Sequence, residues 1–381
     1  MSARFYREEH HIFRDVFRKF LEREAYPYYC EWEKQGIIPR EFWRKLGQAG
    51  FLCPWVDEQF GGCNADFSYS VIINEELEKV GSSLVGIGLH NYIAVPYINT
   101  YGTMEQKQKW LPQCTTGEVI TAIAMTEPAA GSDLAGISTT AIRQGDHYIL
   151  NGQKTFITNG ILADLVIVVC KTDPKSVPAH KGVSLLVVEE GTPGFTKGRK
   201  LKKVGLNAQD TAELFFQDVQ VPAENLLGEE GKGFYYLMEQ LQQERLIVAL
   251  CAQTAAETMF RLTKSYVSTR KAFDQTINQF QTVQFRLAEM ATELELGRTF
   301  LNDLIERHIK GENIVTKVSM AKWWITEMAK RVASESMQLH GGYGYMEEYE
   351  IARRYRDIPV SAIYAGTNEV MKMIIAKNLE L

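Results

Sequence analysis

The chain has 381 residues, of which 45% are hydrophobic and 23% charged, and its formal net charge is −5. This composition is that of an ordinary globular protein; the length predicts two or three domains, and the mild negative charge gives no reason to expect nucleic-acid binding. No run approaches the roughly 18 apolar residues of a membrane span. Six scattered cysteines and the absence of a signal-peptide core predict reduced thiols and a cytoplasmic protein; a mitochondrial-matrix location would require a processed chain.

Residues 1–118 make up the first predicted domain, and their pattern is helical. Apolar residues recur there at steps of three and four, at Phe13, Val16, Phe17, Phe20 and Leu21. This spacing predicts an amphipathic helix. Further helical stretches follow, interrupted by glycine and proline, until the pattern changes near residue 119.

Residues 119–233 make up the second predicted domain, which consists of β-strands. Short runs rich in β-branched residues, such as VITAIAMT, DLVIVVCK and VSLLVVEE, are separated by turn residues. The dipeptide Asn151–Gly152 lies between two such runs and predicts a tight hairpin. We expect these strands to form a barrel or a sandwich.

Residues 234–381 make up the third predicted domain, in which the helical period returns. Long helices are predicted around residues 234–262, 279–308 and 313–339, as in an antiparallel four-helix bundle. The sequence therefore predicts an α+β fold in which a β domain lies between two helical domains.

One carboxylate falls where an apolar residue is expected. Within the first of these long helices, an apolar stripe is formed by Leu237, Leu241, Val248, Cys251 and Ala255. Glu244 falls in the same stripe. A buried carboxylate is costly unless it is paired, protonated or used, and burial raises its pKa as a general base for a carbon acid requires. A structural ion pair with neighbouring Arg245 is the alternative, and for an arbitrary helix the commoner, explanation.

Two segments of the β domain could line a ligand. AMTEPAAGSDLAG, at 124–136, leaves a strand for a loop that exposes backbone N–H groups and the hydroxyls of Thr126 and Ser132. In KTFITNG, Phe156 and Thr158 alternate along a strand and face the same side, where they could line a planar ring system. A plain surface loop and a strand that packs Phe156 into the core are the alternatives.

Three further segments could contact a ligand. QLHGGYGYM ends a helix in Gly341–Gly342, and the paired glycines would let a bulky ligand approach the backbone. YAGTNEV places Gly366 and Thr367 at a helix start, where exposed N–H groups favour an anionic or acceptor ligand. Ordinary helix capping would explain both. KGRKLKK, at 197–203, could contact phosphates, although a solvated charged loop is the commoner case. The histidines and cysteines have no metal-ligand spacing, so we expect no metal site.

These segments, in this order and spacing, resemble the acyl-CoA dehydrogenase family over nearly the whole chain. AMTEPAAGSDLAG and QLHGGYGYMEEYEIARRYRD resemble its two signatures, and GKGFYYLMEQLQQERL is most similar to the long-chain branch, whose active-site layout isovaleryl-CoA dehydrogenases share. The resemblance implies an FAD-dependent enzyme of fatty-acid β-oxidation that converts a medium-, long- or branched-chain acyl-CoA to the trans-2-enoyl-CoA. It also implies an electron-transfer flavoprotein as acceptor and a homotetramer. The alternatives are an acyl-CoA oxidase and a family member acting on carrier-bound or non-thioester substrates.

The resemblance also implies where the catalytic base lies. Many family members carry a catalytic glutamate at the position of Ala365, which cannot take a proton, whereas the long-chain branch places it at the position of Glu244. The backbone N–H of Ala365 would bind the thioester oxygen together with a ribityl hydroxyl of FAD.

Other roles are implied position by position. The implied flavin contacts are Met125, Thr126, Ser132, Phe156, Ile157, Thr158, Arg270, Gln281, Gln338, Leu339, His340, Gly341, Gly342, Thr367, Asn368 and Glu369. Of these, residues 270, 281 and 338–342 would serve the flavin of a neighbouring subunit. The implied substrate contacts are Ser132, Arg199, Tyr235, Glu244, Arg245 and Gly366. Many relatives carry tryptophan where Phe156 stands, so an aromatic face is kept.

Overall fold

The computed structural model describes residues 5–381, and the first part of this range is helical. The helices are α1 (Glu8–Glu24), α2 (Tyr29–Gln35), α3 (Arg40–Gln48), α4 (Phe67–Val80), α5 (Val85–Leu89), α6 (Val95–Tyr101) and α7 (Met104–Thr116). A single turn of π-helix, His90–Ala94, joins α5 to α6. In α1, Phe17, Phe20 and Leu21 are buried as predicted, whereas Val16 is exposed, so the apolar stripe is narrower than the sequence indicates.

The middle part of the chain forms one curled seven-stranded sheet. Its strands are β1 (Thr121–Ala124), β2 (Thr140–Gln144), β3 (His147–Thr158), β4 (Leu165–Lys171), β5 (Val183–Glu189), β6 (Phe195–Lys200) and β7 (Thr211–Pro222). The order is β1-β4-β2-β3-β7-β6, and β5 pairs with β4. Alternate residues of β4 pack into two different apolar clusters, Ile167 with the helices and Val168 inside the curl. Burial on both faces explains why this strand is apolar throughout.

The hairpin predicted at Asn151–Gly152 is wrong. Strand β3 runs straight through this dipeptide, and its pairing with β7 shifts register between Leu150 and Gly152. The turn lies earlier, at Gly145–Asp146 between β2 and β3. At Gly152 φ is +153°, and a Cβ would come within 2.8 Å of the Thr139 backbone. The glycine therefore serves a β-bulge, for which the same backbone freedom is useful.

The last part of the chain is helical again. Its helices are α8 (Gly233–Thr269), α9 (Gln281–Ile309), α10 (Val315–His340), α11 (Glu350–Asp357) and α12 (Asn368–Asn378), and the two-residue strands β8 (Lys271–Ala272) and β9 (Gln275–Thr276) pair between α8 and α9. The three long helices lie where the sequence predicts them, and α8 runs on to Thr269. Helix α8 packs against α4, α6, α10 and β5, so its buried face lies where all three parts of the chain meet. The α+β fold class is confirmed.

Candidate active site

Glu244 lies on the buried face of α8, as the apolar stripe predicts. Its side chain is only 4% exposed, and Leu241 and Val248 on the same face are buried too. The hydroxyl of Tyr97, on α6, donates a hydrogen bond to Glu244 Oε1 at 3.0 Å. Burial raises the pKa of Glu244 to about 7, against the opposing effects of the Tyr97 hydrogen bond and the Arg245 charge. Such a carboxyl is partly ionised at neutral pH and can accept a proton from a weak carbon acid.

Glu244 and Arg245 do not form the structural ion pair that was the alternative explanation for a buried Glu244. Within residues 5–381, the hydrogen bond to Glu244 comes from Tyr97, and Arg245 makes no ion pair with it. Arg245 is itself buried, burial lowers its pKa, and its Nε has no hydrogen-bond partner in the described chain. Because a buried polar group without a partner is costly, this guanidinium is suited to bind a ligand that enters the site.

A strained turn precedes α12. Ala365 and Gly366 both have left-handed backbones, with φ of 53° and 89°. Lys322, buried in α10, donates to Gly366 O at 2.8 Å and to Asn368 Oδ1 at 3.0 Å. Burial and the charge of Arg245 lower the pKa of Lys322 to about 8, so the turn and Arg245 lie close to the same lysine. Strain of this kind at a non-glycine residue is held by its surroundings and is common at functional sites.

The N-terminus of α12 is capped by the side chain of Thr367. The Thr367 hydroxyl accepts a hydrogen bond from Val370 N at 3.4 Å, which makes Thr367 the N-cap. The Asn368 side chain points inward, to Lys322 and to Thr326 and Glu327. A ligand contact by Asn368 would therefore use its backbone.

A buried ion pair holds the loop that follows β1. Lys154 of β3 donates to Glu127 Oε1 at 2.8 Å and to Met125 O at 3.0 Å, and both charged side chains are buried. Glu127 also accepts from the backbone N–H groups of Ser138 and Thr139. Burial acts to raise the pKa of Glu127, but the hydrogen bonds from Lys154, Ser138 and Thr139 outweigh it and hold the pKa at about 2. The pair ties together both ends of the loop that carries the predicted ligand contacts.

Phe156 lies beside this loop at a distortion of β3. Its φ is +59°, the pairing with β7 shifts between Lys154 and Ile157, and the residue is 68% exposed. The alternative in which Phe156 packs into the core is therefore wrong, and it is Ile157 that is buried. Thr155 N donates to Thr126 O, which joins the strand to the loop. An exposed aromatic face beside a polar loop fits the flat ring system of a flavin.

A cavity of about 460 Å³ lies at the end of α10. It is lined by Tyr266, Arg270, Ile277, Gln338, Leu339, His340, Gly341, Gly342, Tyr343 and Met346. The fold thus brings Arg270 to residues 338–342, as the resemblance implies, whereas Gln281 is not among the lining residues. A Cβ added at Gly341 or Gly342 would meet nothing within 4 Å, so this backbone is open to a ligand. An arginine beside open glycine backbone suits the phosphates of a dinucleotide.

Two of the predicted substrate contacts, Arg199 and Tyr235, lie on the surface. Arg199 is exposed on β6, and Tyr235 is 44% exposed in the first turn of α8. The Tyr235 hydroxyl lies 3.3 Å from His180 Nε2. The substrate contacts of Arg199 and Tyr235 stay predictions.

Three lysines of the KGRKLKK segment have structural roles. Lys197 donates to the carbonyls of Ile161 and Ala163, at 3.0 and 2.7 Å. Lys200 donates to two carbonyls at the end of α2, and Lys203 to the carbonyl of Gln209. Lys200 thus joins β6 to the end of α2, and Lys197 and Lys203 hold loops of the sheet, so a freely solvated loop does not describe these side chains.

Three features of the site are not predicted from the sequence: Tyr97, the Lys154–Glu127 pair and Lys322. For the two lysines a signal was present, because each stands at a position where its strand or helix buries its neighbours, as Glu244 does. For Tyr97 there was none, because a tyrosine on a buried helical face is ordinary, and its partner lies 147 positions away.

Three family models together match nearly the whole chain: the acyl-CoA dehydrogenase N-terminal domain over residues 7–118, the middle domain over 122–219 and the C-terminal domain over 231–380. The chain belongs to the acyl-CoA dehydrogenase family. The long-chain specific acyl-CoA dehydrogenase of mouse mitochondria is 50% identical to it over 377 residues, which cover 99% of this chain and 87% of the relative.

Solved structures show the same relationship. The crystal structure of acyl-CoA dehydrogenase from Geobacillus kaustophilus is 76% identical, covers 100% of both chains and gives a TM-score of 0.99. The FAD complex of PigA is 29% identical, covers 99% of this chain and 98% of its own, and gives a TM-score of 0.93. The protein is accordingly an oxidoreductase, and its cofactor is FAD. None of the helices within residues 5–381 is long and apolar enough to cross a membrane.

Proposed function

We propose that this enzyme introduces a double bond between the α and β carbons of a medium-, long- or branched-chain acyl-CoA, with Glu244 as the base. The observation that carries the proposal is the buried Glu244 carboxyl, whose pKa is about 7. Glu244 removes the α-proton as a proton and ends the step as the neutral acid. FAD, when bound, supplies the acceptor for the hydride from the β carbon.

The enolate that forms as the α-proton leaves needs hydrogen-bond donors at the thioester oxygen. The Ala365 N–H is suited to this role, because no hydrogen bond occupies it within the described chain. Its left-handed backbone is fixed through Gly366 by Lys322, and Arg245 lies near the same lysine. A side chain shorter than glutamate at position 365 leaves this donor in place, so the alanine is compatible with catalysis.

We propose that the flavin contacts form two groups, one on each side of a subunit boundary. Phe156 and the 125–132 loop would hold the ring system of the subunit's own FAD, and Arg270 with residues 338–342 would hold the phosphates of its neighbour's. A homotetramer provides such boundaries, and an electron-transfer flavoprotein would take the electrons, as the family resemblance implies. The six free cysteines suit a reducing compartment, and we assign the enzyme to β-oxidation in the cytoplasm.

An anaerobic titration tests this function. The purified protein is mixed with straight and branched acyl-CoAs of increasing chain length, and the absorbance of bound FAD is followed. We expect one length class to bleach the absorbance, which would define the substrate class as well. A yellow protein that no acyl-CoA bleaches would contradict the proposal, and rapid oxygen consumption during turnover would favour an acyl-CoA oxidase.

A further inference from the structure

We propose that Tyr97 is a positioning residue for Glu244, whose hydroxyl holds one carboxylate oxygen and so leaves the other free to take the substrate proton. This inference rests on the proposed function and extends it to a residue on a different helix. It assigns separate tasks to the two carboxylate oxygens, Oε1 being anchored and Oε2 reactive.

The geometry supports this division. The Tyr97 hydroxyl donates to Glu244 Oε1 at 3.0 Å, and both side chains are buried. Oε2 has no hydrogen-bond partner anywhere in residues 5–381. A buried glutamate with no anchor could adopt several side-chain conformations, and a hydrogen bond from a fixed donor selects one of them.

The two helices that carry the pair are held in register at this point. Helix α6 follows directly on the π-helix His90–Ala94, and such turns often occur at functional sites. The carbonyl of Tyr92 in that turn accepts a hydrogen bond from Gln243 Nε2 at 2.9 Å. Because Gln243 is adjacent to Glu244, this contact fixes the distance between α8 and the segment that carries Tyr97.

Tyr97 keeps its proton under all working conditions. Burial and the charge of Glu244 raise its pKa well above 10, so its hydroxyl is always a donor. A phenol donates more strongly to a carboxylate than to a carboxylic acid, so the Tyr97 hydrogen bond favours ionised Glu244. It therefore lowers the pKa of Glu244, which burial raises. The charged group that affects the pKa of Glu244 is Arg245, on α8 itself. Lys322 of α10 and Arg245 repel each other in turn.

The test compares Tyr97→Phe with a matched control, Tyr101→Phe. Tyr101 lies one turn further along α6, but its hydroxyl donates to Glu239 at 2.8 Å and its ring stacks on Tyr236. The measured quantity is the anaerobic rate of FAD bleaching by acyl-CoA, between about pH 6 and 10. We expect Tyr97→Phe to move the midpoint of the acid limb upward by about one to two pH units, the size of a hydrogen bond to a charged group.

At pH 7 this shift lowers the rate by about 5- to 50-fold, because a smaller fraction of Glu244 is ionised. Above the new midpoint this part of the loss disappears, and the loss that remains is the one caused by a carboxylate that is no longer held in a single conformation. Tyr101→Phe should leave the midpoint in place. If wild-type protein is bleached and Tyr97→Phe keeps the same midpoint, or loses rate equally at every pH, the role of Tyr97 is refuted while the proposed function stands. If no acyl-CoA bleaches the wild type, both fail.

A second variant covers the case in which Tyr97→Phe does not hold FAD. Ring-fluorinated tyrosine at position 97 keeps the shape of the side chain but is a stronger donor. It should move the midpoint downward, because a stronger hydrogen bond stabilises the carboxylate further. An unmoved midpoint in this folded, FAD-loaded protein would overturn the inference.

Discussion

Lys154→Met removes the positive partner of Glu127, the buried carboxylate in the loop that follows β1. Glu127 has a pKa of about 2 in the folded protein, against 4.5 for an ordinary glutamate. That difference of about 2.5 units corresponds to roughly 3 kcal/mol of stability at neutral pH, which Lys154 shares with the hydrogen bonds from Ser138 and Thr139. Breaking a buried ion pair from one side leaves a buried charge unpaired and typically costs about 3–5 kcal/mol, and this cost sets the expected loss. We therefore expect Lys154→Met to lower the free energy of unfolding by about 3 kcal/mol and to loosen the loop from Met125 to Thr139.

The sign of the pH dependence follows from the direction of the shift. In the wild type the contribution of Glu127 is complete above pH 4.5 and is lost as the pH falls towards 2. In Lys154→Met, burial acts without its opposing lysine and raises the pKa of Glu127. The deficit of the variant should therefore be largest at neutral pH and should shrink as Glu127 becomes protonated.

Urea unfolding at pH 7 and at pH 5, combined with the FAD content of the purified protein, measures both effects. Lys175→Met is the control, because Lys175 is exposed and follows the next strand, β4. The double variant Lys154→Met/Glu127→Gln should recover part of the loss, since it no longer leaves a buried charge unpaired. A loss of unfolding free energy below about 1 kcal/mol with full FAD content would show that the Lys154–Glu127 pair does not stabilise this loop.

Two further predictions concern the cofactor and the base. Phe156→Ala should weaken FAD binding by about 5- to 30-fold in equilibrium dialysis, because an exposed aromatic face is lost, whereas Phe156→Trp should keep it; equal affinity in all three proteins would contradict the assignment. Ala365→Glu placed in a Glu244→Gly background should restore part of the anaerobic bleaching, since the resemblance implies that both positions face the same substrate carbon. A complete lack of recovery in an FAD-loaded protein would count against that shared geometry.

The spacing of apolar residues predicts the long helices, because each of them buries one face. Helices α8, α9 and α10 were predicted because one face of each is buried, and the same period singled out Glu244. The failure at Asn151–Gly152 has a physical cause, since a glycine with free backbone serves a bulge as readily as a hairpin. The dipeptide alone does not distinguish the two.

Contacts between segments that are distant in the chain could not be predicted from the sequence. The site depends on pairs such as Tyr97 with Glu244, on α6 and α8, and Lys322 with Gly366, on α10 and in the turn before α12. Local spacing carries no information about such pairs, because they are set by how the helices pack. The resemblance assigned roles to single positions, and the structure adds the residues that hold those positions in place.

The variant Glu244→Gln decides whether Glu244 is the catalytic base. The variant is expected to keep its FAD and to bind acyl-CoA, because the amide has nearly the same size and still accepts the hydrogen bond from Tyr97. Its anaerobic rate of FAD bleaching should fall by at least about 100-fold, since an amide cannot take the α-proton. Bleaching at close to the wild-type rate in the FAD-loaded variant would show that a group other than Glu244 is the base.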